Sequence, residues 1–369
     1  IMVVSCGNKA ENAATDADST VVAADTVVVE SAPFELDSLL NALQKDPFAA
    51  FTEDDYDFLD GFNPRTRRDT MMGRYGIYST TDPYRIFLPQ DDFTYCDSFF
   101  AAAENAERND TIVRVMHYGD SQIELDRISS HLRQRLQERF GGSGPGMVPI
   151  VQAVPTSSVS QSYSGDWTRY TMYGDSTTMR APHKRYGVMA QLSHVNGNAM
   201  FTFRPSKNSA QPNVRRITRV SVLVGNTSAG FSVSLKADTS KVVTHTLDSA
   251  KADVSLLTWS LSSPAQRGSL AFSGHAEVYA VMLDGGSGVT VDNDALRGSS
   301  GTIFSGIDSK VMTQSFSYLN TGMIILQFGG NAMPGISGRK GISYYMRGLE
   351  KQFRYFREVA PGAQLLFVG

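Results

Sequence analysis

Three short stretches of this chain set glycine beside a residue that could serve acyl transfer: Gly119-Asp120-Ser121, Asp294-Ala-Leu-Arg-Gly298-Ser-Ser-Gly301 and Gly329-Gly330-Asn331. A serine hydroxyl attacks an acyl carbon once a base takes its proton, and N–H donors aimed at the carbonyl oxygen stabilise the oxyanion that forms. Ser121 supplies the hydroxyl, Asn331 an amide donor, and the glycine loop around Gly298 a backbone N–H that can approach a ligand closely.

The flanking text must position these groups. Ile112, Val113, Val115 and Met116 read as a short buried strand, Gly119 permits a tight turn, and Ile123, Ile128, Leu132 and Leu136 recur at helical spacing. Ser121 is thus expected where a strand ends and a helix begins, the edge at which open α/β sheets bind ligands and helix N–H groups lack partners. Context matters, because Tyr-Gly-Asp-Ser occurs twice, at Tyr118–Ser121 and Tyr173–Ser176. The second copy has no apolar strand before it and no helical pattern after it, and reads as a turn.

Met323-Ile-Ile-Leu-Gln-Phe is a second buried strand, running into Gly329-Gly330-Asn331. The segment 294–301 reads as a loop ahead of it. Tyr344–Phe356 reads as a helix and Gln364-Leu-Leu-Phe-Val as a further strand, while Ser98–Arg108 is a short helical pattern before the first. Residues 151–283 change character: alternating runs such as Met200-Phe-Thr-Phe-Arg and Phe231-Ser-Val-Ser-Leu, broken by turn residues, predict a β-sandwich inserted into the α/β fold.

With 369 residues, 41% hydrophobic and 19% charged, the chain can bury a full core and reads as two compact units plus a tail. A net charge of −3 without a basic run gives no reason to expect nucleic acid as a partner. Six scattered histidines and two cysteines form no recognisable zinc pattern, so neither a metal nor another cofactor is expected.

The three blocks, in this order, resemble those of the SGNH, or GDSL-type, hydrolase family over roughly residues 90–150 and 284–369. The resemblance implies a three-layer α/β/α fold with a parallel sheet. It makes Ser121 the nucleophile, with the N–H groups of Ser121 and Gly298 and the Asn331 amide as the oxyanion hole. Gly119, Asp120, Gly329 and Gly330 complete the motifs. The Gly-Asp-Ser-Gln-Ile-Glu stretch is similar to SGNH lipoproteins of Bacteroidetes type, and the inserted β-domain to peptidoglycan O-acetylesterases; the latter is a likeness of architecture. Gln122 stands where the pattern has Leu, and Ala332 where it often has Asp. The family's Asp-x-x-His has no counterpart before Gly369, and the expectation is that these two residues are encoded beyond it.

The histidines present have plainer readings. His117 lies near Ser121 in sequence, but neighbouring strand residues face opposite ways. His131 lies on the following helix. His183, His194, His245 and His275 fall in the inserted domain as polar or packing residues. Asp126 and Arg127 read as a surface pair one turn into the helix. Trp167, Tyr170 and Tyr173 read as packing residues in preference to a sugar-stacking platform.

At the amino end, Val3-Val4-Ser5-Cys6 resembles a bacterial lipobox, which implies a lipid anchor on Cys6 and an exported, membrane-tethered protein of the cell envelope facing the periplasm or the cell surface. Residues 7–35 have the composition of a flexible tether, and 36–89 form an extension before the α/β text. The function expected from residues and resemblance together is a serine esterase that removes O-acetyl or other small acyl groups from an O-acylated envelope or extracellular glycan. Two alternatives are an O-acetyltransferase using the same site and a non-catalytic glycan-binding lipoprotein.

Overall fold

The computed structural model describes residues 92, 94–174, 179–207 and 211–369. The chain divides into two compact units, Ile1–Tyr95 and Cys96–Gly369, and every element named below belongs to the second. Cys6, the tether, the extension over 36–89, and Asp175 and Ser176 of the second Tyr-Gly-Asp-Ser lie outside the described residues.

Helix α1 (Asp97–Asn105) leads into strand β1 (Ile112–Gly119), a 3-10 segment (Ser121–Asp126) and helix α2 (Ser129–Phe140). Eight strands follow: β2 (Gly146–Val148), β3 (Val159–Thr171), β4 (Gln191–Pro205), β5 (Arg219–Gly225), β6 (Phe231–Ala237), β7 (Val243–Leu247), β8 (Ser255–Ser260) and β9 (Gly268–Asp284). The chain closes with β10 (Gly288–Ala295), α3 (Ser309–Ser317), β11 (Thr321–Gln327), α4 (Gly338–Val359) and β12 (Gln364–Val368).

Strands β10, β1, β11 and β12 form a parallel sheet in that order. Alternation along β1 divides its side chains between two faces. Val113 and Val115, with Val289, Val291 and Ile325, pack with Phe99 and Ala103 of α1 and Leu132 and Leu136 of α2. Met116 and Tyr118, with Ile324 and Leu326, pack with Val311 and Phe316 of α3 and Phe356 of α4. Helices therefore cover both faces of the parallel sheet, as βαβ crossovers require.

The eight strands between 146 and 284 form a separate antiparallel sheet. Hydrogen bonding joins them in one network centred on β9, whose two edges take β4 and β2 on one side and β6 and β5 on the other. Phe201, Val222, Phe231, Trp259 and Phe272 form one core of this sheet, while Leu192, Leu223, Tyr279 and Met282 join the cluster that holds Met116 and Tyr118. Trp167 packs edge-on against Phe272 at 5.1 Å, and Tyr173 is buried.

The strand β10 is absent from the sequence reading, which placed Asp294 in a loop; Asp294 and Ala295 end this strand instead. Its acidic residues obscured it. Asp292 and Asp284, at the passage between the two sheets, flank the buried Arg114, whose guanidinium binds Asp292 at 2.9 and 3.0 Å and also Asp284. Burial opposes the charge, but the two carboxylates outweigh it and raise the guanidinium pKa above its ordinary value. Helix α3 also went unread, and α4 begins at Gly338 rather than at Tyr344.

Candidate active site

The peptide after β1 is sharper than a strand-to-helix turn. Ser121–Asp126 is a 3-10 segment interrupted at Glu124 and Leu125, and the regular helix starts only at Ser129, so Ile128 is left exposed. Gly119 is required for space rather than for a left-handed conformation: a Cβ there would meet three Ile123 side-chain atoms at 3.0 Å. Asp120 is buried and caps the segment, its Oδ1 accepting from the Gln122 N–H at 2.8 Å. Ser121 itself is half-buried.

The three glycine-bearing blocks meet here. Asn331 Nδ2 donates to Asp120 Oδ2 at 3.1 Å and to the Ser299 carbonyl at 3.2 Å. One amide thus ties the loop after β11 to the residue before Ser121 and to the residue after Gly298. Gly298 has φ +76°, and nothing lies within 4 Å of the position its Cβ would occupy. Among the described residues, the N–H groups of Ser121 and Gly298 donate to none of the turn, loop and cap carbonyls. Two backbone donors are therefore left for a ligand at this edge, while the Asn331 amide holds the blocks together.

Beneath the edge runs a polar chain that the sequence reading missed. Asn293 donates to the Ser129 hydroxyl at 2.7 Å, Ser129 pairs with His117 Nδ1 at 2.9 Å, and His117 Nε2 pairs with Gln327 Oε1 at 3.1 Å. Gln327 Nε2 then donates to Gln122 Oε1 at 3.2 Å. Gln122, which replaces the Leu of the motif, is thereby bonded to the strand that carries the third block. Both His117 nitrogens are occupied, and burial pushes its imidazole pKa down to about 4. The ring nitrogens of His117 are thus bonded to Ser129 and Gln327 rather than to Ser121.

The other histidines have partners of their own. His183 meets Glu277 at 3.1 Å, His194 meets His275 at 3.2 Å, and His245 meets the Thr258 carbonyl at 2.9 Å, all in the antiparallel part. His131 is exposed on α2.

Asp126 and Arg127 are not the surface pair expected. Asp126, at φ +61°, is buried and takes two bonds from Arg133, at 2.6 and 3.0 Å, as well as one from Ser158. Arg127 donates to the carbonyls of Glu124 and Ser121, bracing the kink. Glu124 is buried and paired in two bonds, at 2.7 and 2.6 Å, with Arg297, the neighbour of Gly298. Nothing in the sequence signals this pair, because its members are 173 positions apart.

No protein-family model matches the chain, and no curated protein does so. Among solved structures, one described as a peptidoglycan O-acetylesterase in action aligns at 19% identity with a TM-score of 0.55, over 74% of this chain and 71% of its own. A family 6 carbohydrate-binding module aligns over 38% of this chain and 92% of its own, at 13% identity and a TM-score of 0.25. A module from Clostridium stercorarium in complex with cellobiose aligns over 35% and 92%, at 13% identity and a TM-score of 0.24. The first likeness is one of fold, and the other two are too weak to carry an argument about this chain.

Proposed function

We propose that the protein is a serine ester hydrolase of SGNH type that removes O-acetyl groups from a glycan of the cell envelope. The observation that carries this reading is the Asn331 amide bridging Asp120 and the Ser299 carbonyl, which gathers all three blocks at the carboxyl edge of the parallel sheet. The fold shared with a peptidoglycan O-acetylesterase supports it. The Ser121 hydroxyl oxygen bonds to the acyl carbon, and its proton passes through a base to the leaving sugar oxygen as the ester bond breaks. Water then attacks the acyl carbon of acetyl-Ser121, the bond from that carbon to Ser121 Oγ breaks, the base passes the water's proton to Oγ, and acetate leaves. The Ser121 and Gly298 N–H groups take the oxyanion, and Asn331 joins them by letting go of the Ser299 carbonyl. His117, whose two nitrogens are engaged by Ser129 and Gln327, does not bond to Ser121. A sugar hydroxyl in place of water would make the same site an O-acetyltransferase.

The engagement of His117 also favours a second reading, a glycan-binding lipoprotein on the same fold without turnover. Incubation with an O-acetylated glycan, followed by mass spectrometry of the peptide containing Ser121, separates the two. The hydrolase forms an adduct one acetyl group heavier and releases acetate, and Ser121→Ala does neither; a wild-type protein that does neither is not a hydrolase. We also propose a lipid anchor on Cys6. Metabolic labelling with a fatty acid that Cys6→Ala abolishes is the expected result, and labelling unchanged in the variant removes the anchor.

A further inference from the structure

The polar chain beneath the Ser121 edge has a direction: every donor in it points toward Gln122. The Asn293 amide nitrogen donates to the Ile123 carbonyl at 2.8 Å and to the Ser129 hydroxyl at 2.7 Å. A carbonyl only accepts, so the Ile123 bond fixes which end of the Asn293 amide is nitrogen. Ser129, accepting from Asn293, gives its own O–H to His117 Nδ1 at 2.9 Å. Nδ1 then holds a lone pair and the ring proton is on Nε2, which donates to Gln327 Oε1 at 3.1 Å. Gln327 Nε2 in turn donates to Gln122 Oε1 at 3.2 Å.

Ser129 and His117 are buried, Asn293 and Gln327 half-buried, and Gln122 exposed. The chain therefore opens at the Gln122 amide, whose oxygen is held from inside and whose Nε2 has no hydrogen-bond partner among the described residues. Bonds aligned in a row polarise one another, which strengthens the last donor. Gln122 Nε2 lies 3.5 Å from the position a Cβ would take on Gly330, in the third block. The amide thus stands on the β11 side of Ser121, whereas Gly298 follows β10, on the other side of β1. The leucine that the motif has at this position carries neither the acceptor for Gln327 nor the outward donor.

We propose that Gln122 is a specificity-determining residue of the Ser121 site, whose amide nitrogen donates to an oxygen on the alcohol side of the ester and so selects a polyhydroxylated leaving group over an alkyl one. This rests on the reading of the Ser121 edge as an ester site. An ester whose carbonyl oxygen turns to the N–H groups of Ser121 and Gly298 extends its alcohol part to the opposite, β11 side, where Gly330 has no side chain and Gln122 is exposed. A hydroxyl or ring oxygen beside the ester accepts there. An alkyl chain has no acceptor and displaces water from the amide without replacing its bond. Asn293, Ser129, His117 and Gln327 act through Gln122 and are positioning residues.

The test compares two acetates of the same acyl group, methyl 6-O-acetyl-glucoside and ethyl acetate, by the ratio of their kcat/KM values, which a general loss of active protein does not move. Gln122→Leu is expected to lower that ratio by about threefold or more, the worth of one hydrogen bond. Gln327→Leu, which removes the bond orienting Gln122 but keeps its amide, is expected to lower it as well. A smaller change in Gln122→Leu overturns the proposal, and an unchanged ratio in Gln327→Leu overturns the part of it that has the chain orient the amide. A wild-type protein that releases acetate from neither ester removes the hydrolase, and Gln122 is then decided by NMR on Ser121→Ala. There the Gln122 side-chain amide signal, identified by its absence after Gln122→Leu, is expected to shift saturably with the sugar ester and not with ethyl acetate. A signal that stays in place, or that moves equally with both esters, overturns the proposal.

Discussion

Asn331 reaches across from the loop after β11 to donate to the buried carboxylate of Asp120 at 3.1 Å, so the residue beside Ser121 is positioned by a side chain 211 positions away. Asn331→Ala removes this bond and the one to the Ser299 carbonyl together. Loss of a donor to a buried carboxylate costs about 1–3 kcal/mol, reduced by the exposure of Asn331 itself. If the amide also serves the oxyanion, acetate release falls by about 10²–10³-fold. Denaturant unfolding and steady-state acetate release measured on one preparation check both. A tenfold or smaller kinetic loss confines Asn331 to holding the loops together.

Gly298 and Gly301 make a controlled pair. Both have positive φ, +76° and +83°, but a Cβ at Gly298 meets nothing within 4 Å, whereas one at Gly301 would lie 2.6 Å from Phe328 Cγ. Gly298→Ala is expected to cost only conformational strain, about 1–2 kcal/mol. Gly301→Ala adds a collision with a buried ring and is expected to cost more. Urea unfolding of the two variants gives the comparison; equal losses would mean that the loop moves to relieve the contact.

His117 makes stability depend on pH with a definite sign. Burial lowers its imidazole pKa to about 4 from an ordinary value of 6.5. The unfolded chain therefore binds the proton more readily, and the neutral ring's contribution is complete above pH 6.5 and lost as pH falls toward 4. The shift corresponds to about 3 kcal/mol. Asp294, whose pKa is raised, acts in the opposite sense, so the difference between the wild type and His117→Asn isolates the imidazole. That difference is expected to shrink as pH falls from 7 to 4, and NMR titration should show the ring neutral until near pH 4. A ring that titrates near 6.5 would place His117 in contact with water.

The parts of this fold that were legible from sequence are those whose apolar residues decide their own environment. Strands β1, β11 and β12 are runs of Val, Ile, Leu and Met, and the alternation of β4, β5, β6 and β9 is unmistakable. Strand β10 was not legible because Val-Thr-Val-Asp-Asn-Asp reads as exposed until Arg114, some 178 positions earlier, is seen to bind Asp292. The same holds at the site. Local motif residues announced Ser121, Gly298 and Asn331, while the groups that hold them, Arg133 against Asp126 and Arg297 against Glu124, pair across distances that no spacing rule covers, or within a kink that helical spacing conceals.

The buried pair of Asp126 and Arg133 shows what that kink demands. Both side chains are 1% exposed, and Asp126 sits at φ +61° directly after the second interruption of the 3-10 segment. Arg133 also donates from Nε to the Val291 carbonyl at 2.7 Å, fastening α2 to β10. Asp126→Ala leaves the guanidinium buried without its counter-charge and is expected to cost about 3–5 kcal/mol. Arg133→Met alone strands the carboxylate instead and should cost a similar amount. The double variant removes both charges, and its loss should be much less than the sum, with the Val291 carbonyl left unpaired as the residue of damage. Urea unfolding of the four proteins measures the coupling. Additive losses would mean that each side chain stabilises the kink independently, and that the ion pair is not what holds the loop after Ser121 in place.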